Sequence, residues 1–307
     1  MNLREWALPI YTVLTQLATG ALLIFWVIRA RLYAHYSVRE LDRVSRVPVT
    51  ILFLTVCIAS IGAHFHLSRP FFSVLAIRNF GSSWLSREIT FTILLLLSMA
   101  ALTGLHWFVE GRRTLKSRLG WIAILFGLAT IYSMARIYML PTQIFWNSTG
   151  EVFSDYATML ILGGVALSAI LLMDLNFFYA IDPTSAKPHE GTLTRVLGPL
   201  SGVATVGLVL SLLFDIEHIT NLCADCNASA RTSLELLFGL YQPLFVIRIA
   251  LSVLGVGWLL FRFTRTRRKG DSPRNLIGDA YLASTLVLVG EVLGRFLFYA
   301  VHVRIGI

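Results

Sequence analysis

Eight apolar runs, each about as long as a lipid bilayer is thick, constrain the fold of this chain more than any other feature. A spanning helix needs about 20 consecutive apolar residues. Such runs cover residues 8–28, 48–67, 89–109, 119–140, 154–175, 197–217, 239–261 and 279–302. They lack the strict alternation of barrel strands, and helices and closed barrels are the only structures that span lipid. The sequence therefore predicts an all-α polytopic membrane protein, a bundle of eight transmembrane helices.

Composition points to lipid as the solvent for most of the chain. Hydrophobic residues make up 56% of the 307 residues, charged residues 14%, and the mean hydropathy is +0.72. Soluble domains carry roughly 25% charge. The first run is longer than the apolar part of a cleavable signal, roughly 7–15 residues, so we expect it to be retained as a helix. No composition break divides the chain, and residues 1–307 are expected to form a single eight-helix membrane domain.

The basic residues predict the orientation. Of the 26 lysines and arginines, 17 fall in the loops after the first, third, fifth and seventh runs, six fall on the opposite side and three lie inside runs. Cytoplasmic loops carry the excess of positive charge in membrane proteins. The asymmetry therefore predicts that these four loops are cytoplasmic and that both termini lie on the non-cytoplasmic side. The net charge of +9 is assigned to topology and to contact with anionic membrane lipid, and not to nucleic acid.

Ionisable and aromatic side chains gather at the predicted non-cytoplasmic ends of several runs. Ionisable groups are costly inside a membrane and are functional candidates by default. The candidates are His64, His66, Arg69, Trp84, Arg87, Glu88, Arg136 and Tyr138. A quinol site needs acceptors for two protons and an apolar slot for the ring, and this set supplies both. The alternative is an interfacial Glu88 held by the dipole at the first turn of the third helix. At the other end, His106 and Asp174 are interpreted as interfacial residues.

The eighth run carries Glu291 and Arg295 one helical turn apart. Residues at i and i+4 share a helix face, so the two side chains are predicted to form a mainly structural ion pair. Two glycines four residues apart, Gly290 and Gly294, suit close packing against a neighbouring helix.

Histidines and cysteines predict no metal site in this chain. His64 and His66 are two residues apart, roughly 200° around a helix, and cannot both face one ligand. One of them paired with His218 or His302 around a b-type haem is the weaker alternative. Cys223 and Cys226 form a lone C-x-x-C pair, which fits a local disulfide or two thiols and is too small a set for zinc or an iron–sulfur cluster.

Several segments together resemble the DmsC-like family, the membrane anchor subunits of DMSO-reductase-type molybdoenzymes. The resemblance covers essentially the whole chain, with eight spans. It is carried by Glu5-Trp6 with Gln16, Gly20 and Phe25 in the first run, His66-Leu67, the segment GSSWLSRE at 81–88, Arg136-Ile137-Tyr138 followed by Trp146-Asn147-Ser148, and GEVLGRFLFYAVH at 290–302. The sequence departs at Ser68-Arg69-Pro70, where relatives often have glycine after His-Leu.

The resemblance implies a function. Such an anchor holds an iron–sulfur subunit and a molybdopterin catalytic subunit on the non-cytoplasmic face of the bacterial cytoplasmic (inner) membrane. It oxidises menaquinol, contains no haem, and passes electrons to the iron–sulfur partner in anaerobic respiration without catalysing the terminal reaction itself. The family's quinol-linked histidine and glutamate fall on His66 and Glu88. The alternatives are a b-type cytochrome quinone-binding subunit or a small-molecule transporter, although the broken helices and inverted repeats of many transporters are not evident.

Overall fold

The computed structural model of the protein describes residues 6–32, 37–66, 75, 77–181, 183–225 and 227–303, with the backbone alone for residues 32, 65, 66 and 183–189. Over these residues the chain is built from helices. In order they are α1 (Ala7–Leu32), α2 (Val38–His66), α3 (Trp84–Phe108), α4 (Arg113–Tyr138), α5 (Thr149–Ile181), α6 (Pro183–Ala224), α7 (Ala228–Phe238), α8 (Gln242–Lys269) and α9 (Ile277–Ala300). All except α7 are long and apolar enough to cross a membrane. The predicted all-α fold with eight spans is therefore confirmed.

The short helix α7 was not predicted. The Asn227 side chain caps it by accepting a hydrogen bond from the Ser229 N–H at 2.9 Å. Its eleven residues are too few and too polar to span lipid, so the search for apolar runs passes over them. Its apolar side chains, including Leu237, pack with Leu222 and Phe298 at the ends of α6 and α9.

Helices α1 and α5 form the centre of the bundle. Over the most apolar window of each helix, 72% of α1 and 78% of α5 is buried inside the protein. A Cβ atom added to Gly20 would lie 2.0 Å from the Met159 carbonyl oxygen, and one added to Gly163 would lie 2.4 Å from the Gly20 carbonyl carbon. Only glycine permits this backbone contact, which is how membrane helices often gain packing energy. Around the central pair, α3 packs on α4, α5 on α6 and α8 on α9.

The alternating spans give the bundle two ends. We call the end where α1 begins and α9 ends, at Ala7 and Ala300, the terminal end, and the opposite end, where α1 and α8 finish in basic residues, the basic end. The distribution of basic residues predicts that the terminal end lies outside the cytoplasm.

A buried charge cluster at the basic end corrects part of the sequence interpretation. Arg29 and Lys116, counted above as loop residues, lie inside α1 and α4 with 1% and 0% of their surface exposed. Asp42 of α2 lies 2.6 Å from the Lys116 Nζ and 3.4 Å from the Arg29 guanidinium. His106 is also fully buried, 4.0 Å from the same carboxylate, and is not interfacial. Opposite charges compensate one another here, which lowers the cost of burying them.

Candidate functional site

A cavity at the terminal end is enclosed by α1, α2, α3 and α4. Its volume is about 250 Å³. Most of its wall is apolar, contributed by Leu8, Ala63, Leu85, Ile89, Ile93, Leu96, Met134 and Ile137. The polar lining residues are Tyr11, Thr12, Ser60, His64, Glu88, Thr92 and Tyr138. A mostly apolar cleft with a few convergent polar groups is the usual form of a small-molecule site.

Glu88 lies at the start of α3 and faces this cavity. The helix begins at Trp84, where the Ser83 hydroxyl caps it by accepting from the Ser86 N–H. Glu88 follows about one turn later, with 7% of its surface exposed. No ion pair of Glu88 occurs within the described part of the chain. A carboxyl in this setting is free to exchange a proton with a ligand in the cavity.

Tyr11 of α1 is the polar neighbour of Glu88, and the sequence did not single it out. Its hydroxyl lies next to the Glu88 carboxyl and is 2.8 Å from the Thr92 hydroxyl. Only 4% of Tyr11 is exposed. A single tyrosine within an apolar run gives no signal by itself, because aromatic residues are common in membrane spans. Only the approach of α1 to α3 shows that the two residues share one site.

Of the two predicted histidines at the end of α2, His64 lines the cavity, and the side chain of His66 is not described. His64 lines the cavity, and its Nδ1–H donates to the Ser60 carbonyl at 3.1 Å, which fixes the orientation of the ring. His66 is the last residue of α2, and its side chain lies outside the described residues. Arg69 lies outside them altogether.

Trp84, Arg87 and Arg136 form a stack beside the cavity and do not line it. The Arg87 and Arg136 guanidiniums lie 4.1 Å and 5.1 Å from the Trp84 ring centroid. Arg87 also donates to the carbonyls of Phe80 and Gly81 at 2.9 Å and 2.7 Å. These contacts hold the chain before α3 against the helix. Cation–π contacts of this kind are worth roughly 0.5–2 kcal/mol.

Tyr138 connects the cavity to α9. It lines the cavity, and its hydroxyl is 2.9 Å from that of Tyr299. Its ring packs edge-on against Trp146 and Phe298. These contacts hold the segment that follows α4 against the end of α9.

The predicted ion pair between Arg295 and Glu291 is wrong. The structure does not pair them with each other, although they share a face of α9. Arg295 pairs with Asp155 of α5 at 2.9 Å, and Gln16 of α1 donates to the same carboxylate at 3.0 Å. Glu291 accepts from Ser252 of α8 at 2.9 Å and from a second hydroxyl on α5. Each side chain gains partners on other helices, so the predicted contact along one helix is not formed.

These residues border a second, polar cavity between α1, α5, α6, α8 and α9. Its volume is about 90 Å³. Besides Asp155, Glu291 and Arg295, its charged wall includes Glu151 and the ion pair of Asp215 with Arg248. Gln16 and Asp155 were not among the predicted site residues, because the hydrogen bond between them depends on how α1 packs against α5.

Cys226, half of the C-x-x-C pair, lies outside the described residues. Over the part of the chain that the structure describes, no group of three or more histidine, cysteine, aspartate and glutamate residues has the arrangement of a metal site.

Comparison with known proteins identifies a family. Residues 1–301 match the family described as DMSO reductase anchor subunit (DmsC). The sequence is similar to YnfH, an anaerobic dimethyl sulfoxide reductase subunit of Escherichia coli K12, with 25% identity over 306 residues, covering 98% of this protein and 96% of the relative. It is also similar to the C subunit of the anaerobic dimethyl sulfoxide reductase of Haemophilus influenzae, with 27% identity over 312 residues, covering 100% of this protein and 98% of the relative.

Proposed function

The chain belongs to the DMSO reductase anchor subunit (DmsC) family, and on that premise we propose that it oxidises menaquinol in the cavity between α1, α2, α3 and α4. It is a multi-pass membrane anchor subunit of an anaerobic DMSO-reductase-type respiratory complex, alongside catalytic and iron–sulfur subunits. The observation that carries the proposal is the buried Glu88 beside Tyr11 in an otherwise apolar cavity of about 250 Å³.

The chemistry fits this cavity. Oxidation of a quinol to a quinone releases two electrons and two protons. The apolar walls accept the ring, and Glu88 takes a proton from a hydroxyl group. A histidine at the end of α2 takes the proton of the second hydroxyl: His64 lines the cavity, and His66, the position that the family resemblance indicates, is the alternative. The electrons pass to the iron–sulfur partner, which reduces the molybdopterin subunit. Arg136 and Arg87, stacked on Trp84, position the loop and the headgroup at the mouth of the cavity.

Position supports the same assignment. Glu88 stands about one turn from the start of α3 at the terminal end, so a proton has a short path to water. Quinol bound at this level is also near a subunit docked on the terminal end. We propose that this end is non-cytoplasmic and that the iron–sulfur and molybdopterin subunits dock there, since the basic loops fall at the opposite end.

The haem-containing alternative receives less support from the contacts of the histidines. His218 packs edge-on against Phe145, and His302 stacks on Trp146 at 3.9 Å while bonding to the Tyr299 carbonyl. Each ring is thus committed to its own neighbours and not to a shared axial position with His64.

The test replaces the carboxyl and keeps its shape. Glu88→Gln removes the proton acceptor, so quinol oxidation by the assembled complex should fall by roughly 10²-fold or more. Reduction of the terminal substrate driven by a soluble dye, which bypasses the anchor, should be unchanged. The control is Glu235→Gln, an exposed carboxylate on α7 at the same end. If Glu88→Gln and His66→Ala both oxidise quinol at the normal rate, the site lies elsewhere.

A further inference from the structure

A smaller cavity at the basic end contains one carboxyl group in apolar surroundings. Its volume is about 60 Å³, and it lies between α2 and α6 with the central helices α1 and α5 behind it. Its wall is otherwise apolar and includes Phe178 and Val196. Asp174 and Thr192 are its only polar lining residues within the described part of the chain. A cavity needs roughly 10–15 Å³ per water on this scale, so it accommodates a group of a few non-hydrogen atoms.

One carboxylate oxygen of Asp174 has no partner among the described residues. Only 4% of the residue is exposed, and its buried Oδ1 accepts no hydrogen bond from any of them. The Asp174 side chain is therefore buried inside the bundle, whereas the sequence interpretation expected an interfacial residue that reaches out to water. At the same end, the buried Asp42 is matched by both Lys116 and Arg29. Burial of an uncompensated carboxylate is costly. A ligand that donates hydrogen bonds and carries positive charge removes that cost.

A second charged group, the Arg43 guanidinium, lies beside the cavity and indicates that the ligand also carries an anionic group. The Arg43 guanidinium of α2 lies 4.0 Å from the ring centroid of Phe178, which lines the cavity. Among the described residues Arg43 and Asp174 do not form an ion pair with each other. Arg43 precedes the apolar part of α2, and Asp174 lies at the end of the fifth apolar run. Both therefore stand at the level of lipid headgroups. An anionic group joined to the donor by a short linker would reach Arg43.

We infer that this cavity binds the headgroup of an amine-bearing phospholipid, phosphatidylethanolamine. The ammonium donates to Asp174, the phosphate contacts Arg43, and the acyl chains follow the apolar surface between α2 and α6. A quinone cannot donate to Asp174, because its carbonyl groups only accept hydrogen bonds, and a quinol, which can donate, carries neither a positive charge for Asp174 nor an anionic group for Arg43. Phosphatidylglycerol has the phosphate without the cation. The site is separate from the quinol cavity, which lies at the opposite end of the bundle.

The experiment measures lipid selectivity of the complete complex. The complex is exchanged into nanodiscs holding equal amounts of phosphatidylethanolamine and phosphatidylglycerol, then released in detergent, and the retained phospholipids are quantified by mass spectrometry. The wild type should retain phosphatidylethanolamine in excess of its share. Asp174→Asn should lower that excess about tenfold, since a hydrogen bond to a charged group is worth about one decade or more in binding. Arg43→Gln should lower the retention of both lipids.

Two variants serve as controls. Glu110→Gln removes an exposed carboxylate at the same end, so its lipid ratio should match the wild type. Val196→Phe fills the cavity while keeping Asp174, so it should abolish the excess of phosphatidylethanolamine by excluding the headgroup. This variant keeps the inference testable if Asp174→Asn fails to assemble. A wild type with no preference for phosphatidylethanolamine overturns the inference. So does an Asp174→Asn complex with the wild-type ratio, or one that loses bound menaquinone and keeps its phospholipid.

Discussion

At the scale of single residues, the Tyr11 hydroxyl offers a sharp test of the quinol cavity, because it can be removed without changing the ring. Tyr11→Phe keeps the buried aromatic surface and deletes the group beside Glu88. A net hydrogen bond contributes about 0.5–1.5 kcal/mol, so kcat/KM for a soluble quinol analogue should fall roughly 2- to 10-fold. Assembly should be normal. Tyr281→Phe, an exposed tyrosine on α9, provides the matched control. Equal kcat/KM in both variants would remove Tyr11 from the site.

For the Arg295–Asp155 pair we expect a loss of assembly and not of activity. Removing one partner leaves the other charge buried, which costs roughly 3–5 kcal/mol. Arg295→Ala and Asp155→Asn should therefore both reduce the amount of assembled complex in the membrane, with little change in turnover per complex. Immunoblots of membranes measure the first quantity, and quinol oxidation normalised to complex measures the second. Normal assembly with lost turnover would instead place the pair in the quinol reaction.

At the scale of helices, the contact between α1 and α5 sets the spacing of the whole bundle. Gly20→Ala would place a Cβ atom 2.0 Å from the Met159 carbonyl oxygen, so the two backbones must separate. Overpacking costs typically 1–3 kcal/mol, and we expect a lower midpoint in thermal aggregation of the solubilised protein. Gly202→Ala in α6, where no described atom lies within 4 Å of the added Cβ, should keep the wild-type midpoint. Equal midpoints for the two variants would show that the contact contributes little.

The helices also show what could be predicted from the sequence. The eight spans follow from length and hydropathy alone, because lipid requires each crossing segment to satisfy its own backbone hydrogen bonds. Their ends do not follow, since the helices continue into polar residues, and the burial of Arg29 and Lys116 against Asp42 is a tertiary contact that hydropathy does not describe. Helix α7 also falls outside the pattern, because its polar composition resembles that of a loop.

The candidate site could also be predicted only in part, because its tertiary contacts are not visible in the sequence. The sequence brought Glu88, His64 and Tyr138 forward because polar groups at the ends of apolar runs are costly, and all three line one cavity. Trp84, Arg87 and Arg136 lie beside it. Tyr11 could not be found, since its position depends on which helix face meets α3. The partner of Arg295 was missed for the same reason, because helical spacing describes neighbours along one helix only.

At the scale of the whole molecule, the two ends differ in chemistry, and that difference predicts how the protein sits in the membrane. The terminal end carries the proposed quinol cavity and α7, and the basic end carries the loops that follow the first, third, fifth and seventh spans. Burial of Arg29 and Lys116 removes two residues from the predicted 17-to-6 asymmetry, and fifteen still face six. The segment from Arg265 to Arg274 should therefore be cytoplasmic, with both termini outside.

Reporter fusions test this orientation directly. Alkaline phosphatase, which is active only outside the cytoplasm, should be active when fused after residue 303 and inactive when fused within residues 265–274. A cytoplasmic fluorescent reporter should give the reverse. If the partner subunits dock on the outer face at the terminal end, as we propose, they should protect α7 from proteolysis in spheroplasts. Phosphatase activity from the 265–274 fusion would show that the orientation is the reverse of the predicted one. The proposed quinol cavity and the partner subunits would then lie on the cytoplasmic side.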